Sequence, residues 1–282
     1  MRFLYVTDFH GHRQSYEAAA EAALRHGVSL VVNGGDMLPK LGDEDLIQNE
    51  RLFFGWLRPH LRSLKDRGVA YSAMFGNDDC GVLLPELDRL SEEGLLERLD
   101  RGWLEHRGWH FIGFPWVPDT PFLLKDWSLL DSTGWEVPRQ FGPALISTPR
   151  GFEEVGMPAQ AYLSQVESIR KKLARPPYST PPDPARSVFV MHAPPSGSKL
   201  DLCWDGRAVG SDAGRDFIVR MKFPLSLHGH IHEAPGSNGG TWATRVGGTI
   251  AVNPGAGGGP CWVLVDTEAR TLRHASRGEA KF

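Results

Sequence analysis

The chain has 282 residues, 41% of them hydrophobic and 23% charged, with a formal net charge of −3 and a pI near 6.4. That is enough apolar material for a substantial core. The balance lacks the basic footprint of a protein that grips long nucleic acid by its phosphates, so a nucleic-acid partner is not expected. Three cysteines, Cys80, Cys203 and Cys261, match no zinc spacing and cannot all pair, so they read as free thiols of a reducing compartment. The N-terminus has no signal-peptide pattern, and no apolar run approaches the ~20 residues that span a bilayer; the expectation is a soluble cytoplasmic protein without a membrane partner.

The first hundred residues alternate strand and helix. Arg2–Val6 is an apolar run ending in Thr-Asp. Ser15–His26 is Ala-rich, and Gly27 suits its C-terminal cap. Ser29–Val32 leads to Asn33-Gly34-Gly35-Asp36. From Asp43 to Arg67 the apolar spacing is helical, and Pro59 is expected to kink or split the helix. Ala70–Phe75 reads as a strand followed by Gly76-Asn77-Asp78-Asp79, and Val82–Leu99 as a helix. Such alternation predicts βαβ units with a largely parallel sheet.

Beyond Trp103 the pattern changes. Trp109–Phe114 is a strand. Residues 115–157 look irregular, too long for a passive loop, and are expected to form a cap or an interface, including a homodimer contact. Trp103, Trp109, Trp116, Trp127 and Trp135 read either as a platform for a flat group or as a hydrophobic mini-core. Lys125, Arg139 and Arg150 are candidate substrate contacts, or else solvated charges. Ala159–Ala174 is predicted to be one amphipathic helix. Ser187–Met191 is a buried strand with His192 after it, and Asp212–Met221 is helical. Short strands follow at Leu225–Leu227, Thr241–Val246, Thr249–Val252, Cys261–Asp266 and Thr271–Ala275. The glycines at 236–240, 247–248 and 255–259 read as tight turns between them, and Asn253-Pro254-Gly255 as a strand end. All 282 residues are read as one domain.

Five segments end in metal-type ligands. Asp8 and His10 follow FLYV, Asp36 follows SLVV, Asn77 follows YSAMF, His192 follows VFVM, and His230 and His232 follow PLSL. In an open α/β sheet the loops at the carboxyl ends of strands gather on one edge, so residues far apart in sequence can meet. Asp-x-His and His-x-His place their two side chains on one side of an extended backbone. Carboxylate, amide and imidazole together suit Mn, Fe, Zn, Co or Ni, with Mn and Fe the best fit. Seven ligands exceed one tetrahedral zinc and suit two divalent ions that share a carboxylate. Singly, Gly-Asp and Gly-Asn are common turns and a lone His192 reads as a hydrogen-bonded core histidine, while three histidines in five residues, His228, His230 and His232, favour metal binding; the five segments together do so more strongly.

This series, Asp8-x-His10, Gly35-Asp36, Gly76-Asn77-x-Asp79, His192 and Gly229-His230-x-His232, resembles the calcineurin-like metallophosphoesterase superfamily. The resemblance implies a four-layer α/β/β/α sandwich of two facing mixed sheets, with the metal site at the C-terminal ends of strands. It implies Asp8, His10, His232 and Asp36 on one ion, and Asn77, His192, His230 and the same Asp36 on the other. The implied reaction is attack on a small phosphomonoester or phosphodiester by a hydroxide bridging the ions. One position departs from the pattern: Asp78 stands where the family has a histidine that orients phosphate and protonates the leaving group. A carboxylate beside two cations tends to stay ionised and repels phosphate. Asp78, His12 and His228 are therefore the candidates for the catalytic acid. The same departure supports an alternative, a metal-binding interaction scaffold without turnover; a nuclease is the third reading.

Overall fold

The computed structural model describes residues 1–40, 45–257 and 261–282. The expected helix start at Asp43, and Gly258 and Gly259 of the last glycine run, lie outside them. Two large mixed sheets dominate. The first has the strand order Gly278–Lys281, Thr271–His274, Trp262–Asp266, Arg2–Val6, Leu30–Asn33, Ala70–Ala73, Glu97–Arg98. Its last four strands are parallel and its first three antiparallel. The second runs Ala243–Val246, Thr249–Val252, Leu225–Leu227, Ser187–Met191, Trp109–Phe114, Leu104–His106, with four parallel strands inside two antiparallel edges. Gly278–Lys281 has no counterpart among the predicted strands.

Strand periodicity explains the layering. Successive side chains point to opposite faces. In Arg2–Val6, Leu4 and Val6 join a core with Tyr16, Phe53, Phe54, Leu57 and Leu87, under the helices Arg13–Arg25, Leu46–Asp66 and Leu84–Glu92. Phe3 and Tyr5 face the other way, into a core with Phe111, Val188 and Val190 of the second sheet. The Phe3 and Phe111 rings meet edge to face at 5.3 Å across it. Phe189 and Met191 then face a third core with Ile169, Leu173, Phe217 and Ile218, under Ile169–Leu173 and Asp212–Met221. Three cores separate four layers: helices, sheet, sheet, helices. Each fully buried Leu, Ile or Phe contributes about 1.5–3 kcal/mol. No helix of the described residues is long and apolar enough to cross a membrane.

Three helix predictions need correction. Leu46–Asp66 runs unbroken through Pro59. Pro59 and Gly55, whose carbonyl loses its helical partner, both lie on the exposed side, where water can satisfy that carbonyl. Buried Leu57 and Leu61 hold the helix to the sheet on either side of it. The predicted helix Val82–Leu99 is shorter, Leu84–Glu92; Gly94, at φ 64, ends it, and Glu97–Arg98 turns into a strand against Ser72–Ala73. The single helix predicted over 159–174 is two, Ala159–Leu163 and Ile169–Leu173. Ser168 caps the second by accepting from the Lys171 N–H, and the Ile169 and Arg170 N–H groups donate to Leu130 and Asp131 carbonyls. Ser competes with helical hydrogen bonding in this way, and here tertiary partners decide the outcome.

Between the Trp109–Phe114 strand and residue 157 the chain forms two small ribbons, Val117–Pro118 with Ser128–Leu129 and Leu145–Thr148 with Gly151–Glu154. Lys125 is neither a solvated charge nor open to a ligand. It is buried, and its Nζ donates to Asp119 Oδ1 at 2.7 Å and to the Thr120 and Phe122 carbonyls. Arg150 pairs with Glu153 on the surface. Of the tryptophans, Trp116 and Trp127 meet at 5.9 Å between ring centroids at the first core, and Trp103 and Trp109 stand apart from them. Trp109 borders the core between the sheets and Trp103 the core under the second helical layer, while Trp127 lies in the first core and donates to the Asp79 carbonyl.

Candidate metal centre

All five motif loops leave parallel strands at the same edge, and backbone hydrogen bonds lace them together. Asp8 N–H donates to the Gly35 carbonyl, His10 N–H to Asp36, and Gly229 N–H to His192. The two sheets are joined by the His230 N–H, which donates to Asp8 Oδ1 at 3.0 Å, and by His192 Nδ1, which donates to the Gly34 carbonyl at 2.9 Å.

The expected geometry within the loops needs revision. Asp8 and His10, and His230 and His232, do converge, but not by alternation along an extended strand. Asp8 (φ 56), His10 (φ 44), Asp36 (φ 51) and His230 (φ 66) are left-handed. For residues other than glycine this conformation is uncommon and costs of order 1–3 kcal/mol. Four such residues meeting at one point mark a functional site. Two glycines make room there. A Cβ on Gly76 would stand 2.2 Å from Asp36 Oδ1 and 2.7 Å from His192 Nε2, and one on Gly229 would stand 2.3 Å from Asp8 Oδ2.

The structure brings all seven expected ligands together. Donor atoms of Asp8, His10, Asp36 and His232 lie within 4.8 Å of one another. His10 Nε2 is 3.0 Å from His232 Nε2, and His232 Nε2 is 3.3 Å from Asp8 Oδ1. On the other side of Asp36, His192 Nε2 is 3.2 Å from Asp36 Oδ2 and 3.1 Å from Asn77 Oδ1, with the His230 ring 5.4 Å away. Donors about 3.0–3.4 Å apart have the spacing of ligands about 2.1 Å from a common ion. His10 Nδ1 is buried without a hydrogen-bond partner, and the group that faces buried Asp36 Oδ2 is His192 Nε2, where a cation could take the place of the proton. His192 Nδ1–H is committed to Gly34, which fixes the tautomer and turns the Nε2 lone pair inward. The residues therefore fit divalent cations.

Of the three candidates for the acid, Asp78 lies on the centre: its N–H donates to Asp36 Oδ1 at 2.9 Å. His12 is exposed, touches Ser15 Oγ at 2.9 Å, and lines an open cleft of about 610 Å³ with His10 and His232. His228 is fully buried. Its Nδ1 donates to the Met191 and Ala193 carbonyls and its Nε2 meets Ser226 Oγ, so it ties strands together.

Sequence reasoning missed the braces of the centre. Asp79 accepts from the Met37, Leu38 and Gly76 N–H groups, clamping the second motif loop to the third. Asn253 donates its amide to the Leu200, Gly229 and Ile231 carbonyls and steadies the loop of His230 and His232. Lys40 ends 2.5 Å from Asp78 Oδ2. The only signals in the sequence were motif membership for Asp79 and the strand-end Asn-Pro-Gly for Asn253.

The family model of calcineurin-like phosphoesterases matches residues 1–234, which include all seven candidate ligands. The chain belongs to the calcineurin-like phosphoesterase family. Among solved structures, one is 18% identical, covers 98% of this chain and 99% of its own, and has a TM-score of 0.59. Another, TT1561 of Thermus thermophilus, is 16% identical, with 97% of each chain covered and a TM-score of 0.55. At such identities they establish the shared fold. No curated protein matches the chain significantly.

The electrostatics of this calcineurin-like phosphoesterase suit cation capture. Burial pushes Asp8 upward, but His232 and then His192 outweigh it and hold its pKa at about 2. Asp36 is held still lower, its burial overcome by His192 and His10. Burial lowers His230 to about 3, so it is neutral and ready to ligate. His192 differs: burial pushes it down, yet Asp36 and Asp8 prevail and raise it to about 10. Its folded pKa is raised above 6.5, so it stabilises the metal-free fold fully below that pH, and the contribution fades as pH rises through about 10. A cation at Nε2 must displace this proton. Loading with Mn²⁺ at about pH 8 is therefore expected to release about one proton per chain from His192. Calorimetry in two buffers of different ionisation heat measures the release; buffer-independent heats would contradict it.

Proposed function

We propose that this chain hydrolyses small phosphomonoesters or phosphodiesters at a centre of two divalent ions, Mn or Fe by preference. The observation that supports it is the gathering of six other metal-type side chains around one buried carboxylate, Asp36. Asp8, His10, His232 and Asp36 would hold one ion; Asn77, His192, His230 and Asp36 the other. Divalent ions in such a pair supply Lewis acidity toward phosphoryl oxygens and an activated water at neutral pH.

The chain's own groups do the rest. Asp36 faces both halves of the centre through Oδ2 while its Oδ1 is held by the Asp78 N–H, and His192 and His230 present neutral nitrogens once the His192 proton has gone. Asp79 and Asn253 fix the loops, so no ligand has to reorganise when substrate arrives, which is what electrostatic catalysis requires. The cleft beside His10, His12 and His232 gives a small ester access from solvent. The test is hydrolysis of mono- and bis-(p-nitrophenyl) phosphate by the Mn²⁺-loaded protein. Metal-dependent turnover is expected, and the ratio of the two rates assigns the monoester or diester class. Absence of turnover with two ions bound would defeat the reading in favour of a metal-binding scaffold.

A further inference from the structure

Three side chains at the lip of the centre have no part in holding metal. Lys40 Nζ lies 2.5 Å from Asp78 Oδ2, and Asp78 is itself anchored to the centre through Asp36 Oδ1 and the Asn77 amide. The same ammonium stands 5.9 Å from the ring of Phe122, which meets Phe141 edge to face at 5.7 Å. Phe122 is 50% exposed and Phe141 71%. Single exposed apolar side chains are ordinary, but two rings in contact form a patch. This patch is braced. The buried Lys125 ammonium binds the Phe122 carbonyl at 2.6 Å and Asp119 at 2.7 Å, and the Phe141 N–H donates to the Pro121 carbonyl at 2.9 Å.

We propose that Lys40 and the Phe122–Phe141 pair form a subsite for a phosphoester bearing one flat apolar substituent, with Lys40 on a phosphoryl oxygen and the rings on the substituent. The inference rests on the phosphoesterase reading above and names its substrate class. Charge supports it. Asp78 alone would repel a phosphate; paired with Lys40 its charge is cancelled, and the ammonium has three N–H donors, not all of which the carboxylate uses. The half-exposed lysine stem lets the ammonium turn toward a phosphoryl oxygen while Asp78 keeps it at the lip. Shape supports the apolar half. Aromatic rings prefer another ring set edge to face or offset, at a gain beyond simple area burial, so a flat group is favoured over an alkyl chain.

The experiment is calorimetry on the Mn²⁺-loaded protein with phenylphosphonate and methylphosphonate, which carry a phosphoester-like head but are not hydrolysed. Phenylphosphonate should bind about tenfold more tightly. Phe122→Ala should remove most of that preference while leaving methylphosphonate affinity within about twofold. Lys40→Met should weaken both ligands about tenfold, and Lys40→Met with Asp78→Asn should recover most of the loss, because the uncovered charge goes with the cation. A missing phenyl preference, or one that survives Phe122→Ala, overturns the subsite. So does a Lys40→Met variant that binds both ligands as the wild type does. Wild-type protein that binds methylphosphonate without preferring phenyl sinks the subsite alone; wild-type protein that binds neither ligand and turns over no ester sinks the phosphoesterase reading too.

Discussion

Asp36→Asn should cost turnover at least about 1,000-fold, since the metal centre supplies several kcal/mol of transition-state stabilisation, and should strip both ions from the chain. Asp36 faces both halves of the centre more closely than Asp8 does: Oδ2 lies 3.2 Å from His192 Nε2 and 3.8 Å from His10 Nε2, whereas Asp8 Oδ1 lies 3.3 Å from His232 Nε2 but 3.9 Å from His192 Nε2. Asp36 Oδ1 also accepts the Asp78 N–H. An amide can keep only one of these oxygens, and its NH₂ group aims hydrogens where a cation would sit. The substitution also removes the negative charge that holds the His192 proton. The fold should persist, because the four-layer core does not depend on this residue. Metal analysis of the purified variant decides the point: two tightly held ions per chain would show that Asp36 does not bridge.

Asp79→Ala is expected to be the most destabilising substitution outside the apolar cores. The Asp79 carboxylate is fully buried and takes three backbone N–H groups, at 2.7 Å from Leu38, 2.7 Å from Gly76 and 3.1 Å from Met37. Each donor left unpaired in a buried place costs about 1–3 kcal/mol. Partial relaxation would leave a total of about 3–5 kcal/mol, seen as a lower urea midpoint of the metal-free protein. The loops of Asp36 and Asn77 would lose their common clamp, so Mn²⁺ affinity should fall as well. A variant with the wild-type midpoint would show that the clamp is not structural. Trp127, whose indole donates to the Asp79 carbonyl, links this clamp to the segment after the Trp109–Phe114 strand.

The gathering of the seven candidate side chains was legible because each sits within a few residues of a strand end, and strand ends share an edge. The four-layer sandwich was legible only through the family resemblance; the residues by themselves indicated a largely parallel sheet and buried strands such as Ser187–Met191. The reason offered for convergence was incomplete: alternation along a strand does not bring Asp8 to His10 when both are left-handed, and residue type alone does not announce that strain. Lys40 was illegible because its role depends on where the loop after Asp36 carries it in space. Asp79 looked like motif filler, since a carboxylate that serves three amides is invisible without the partner loops. The helix predicted over 159–174 had the right periodicity, yet Ser168 and the Leu130 and Asp131 carbonyls offered its backbone better partners. Lys125 looked like a surface charge because sequence shows a charge but not the carbonyls waiting to enclose it.

The central claim is that two ions, gathered around Asp36, are needed for phosphoester hydrolysis. The most direct test is to titrate the metal-free protein with Mn²⁺ while following bis-(p-nitrophenyl) phosphate turnover and bound metal together. Turnover should stay low through about the first equivalent and rise to its plateau as about the second binds. A plateau reached at one ion per chain, or full turnover without added or retained metal, would contradict the account.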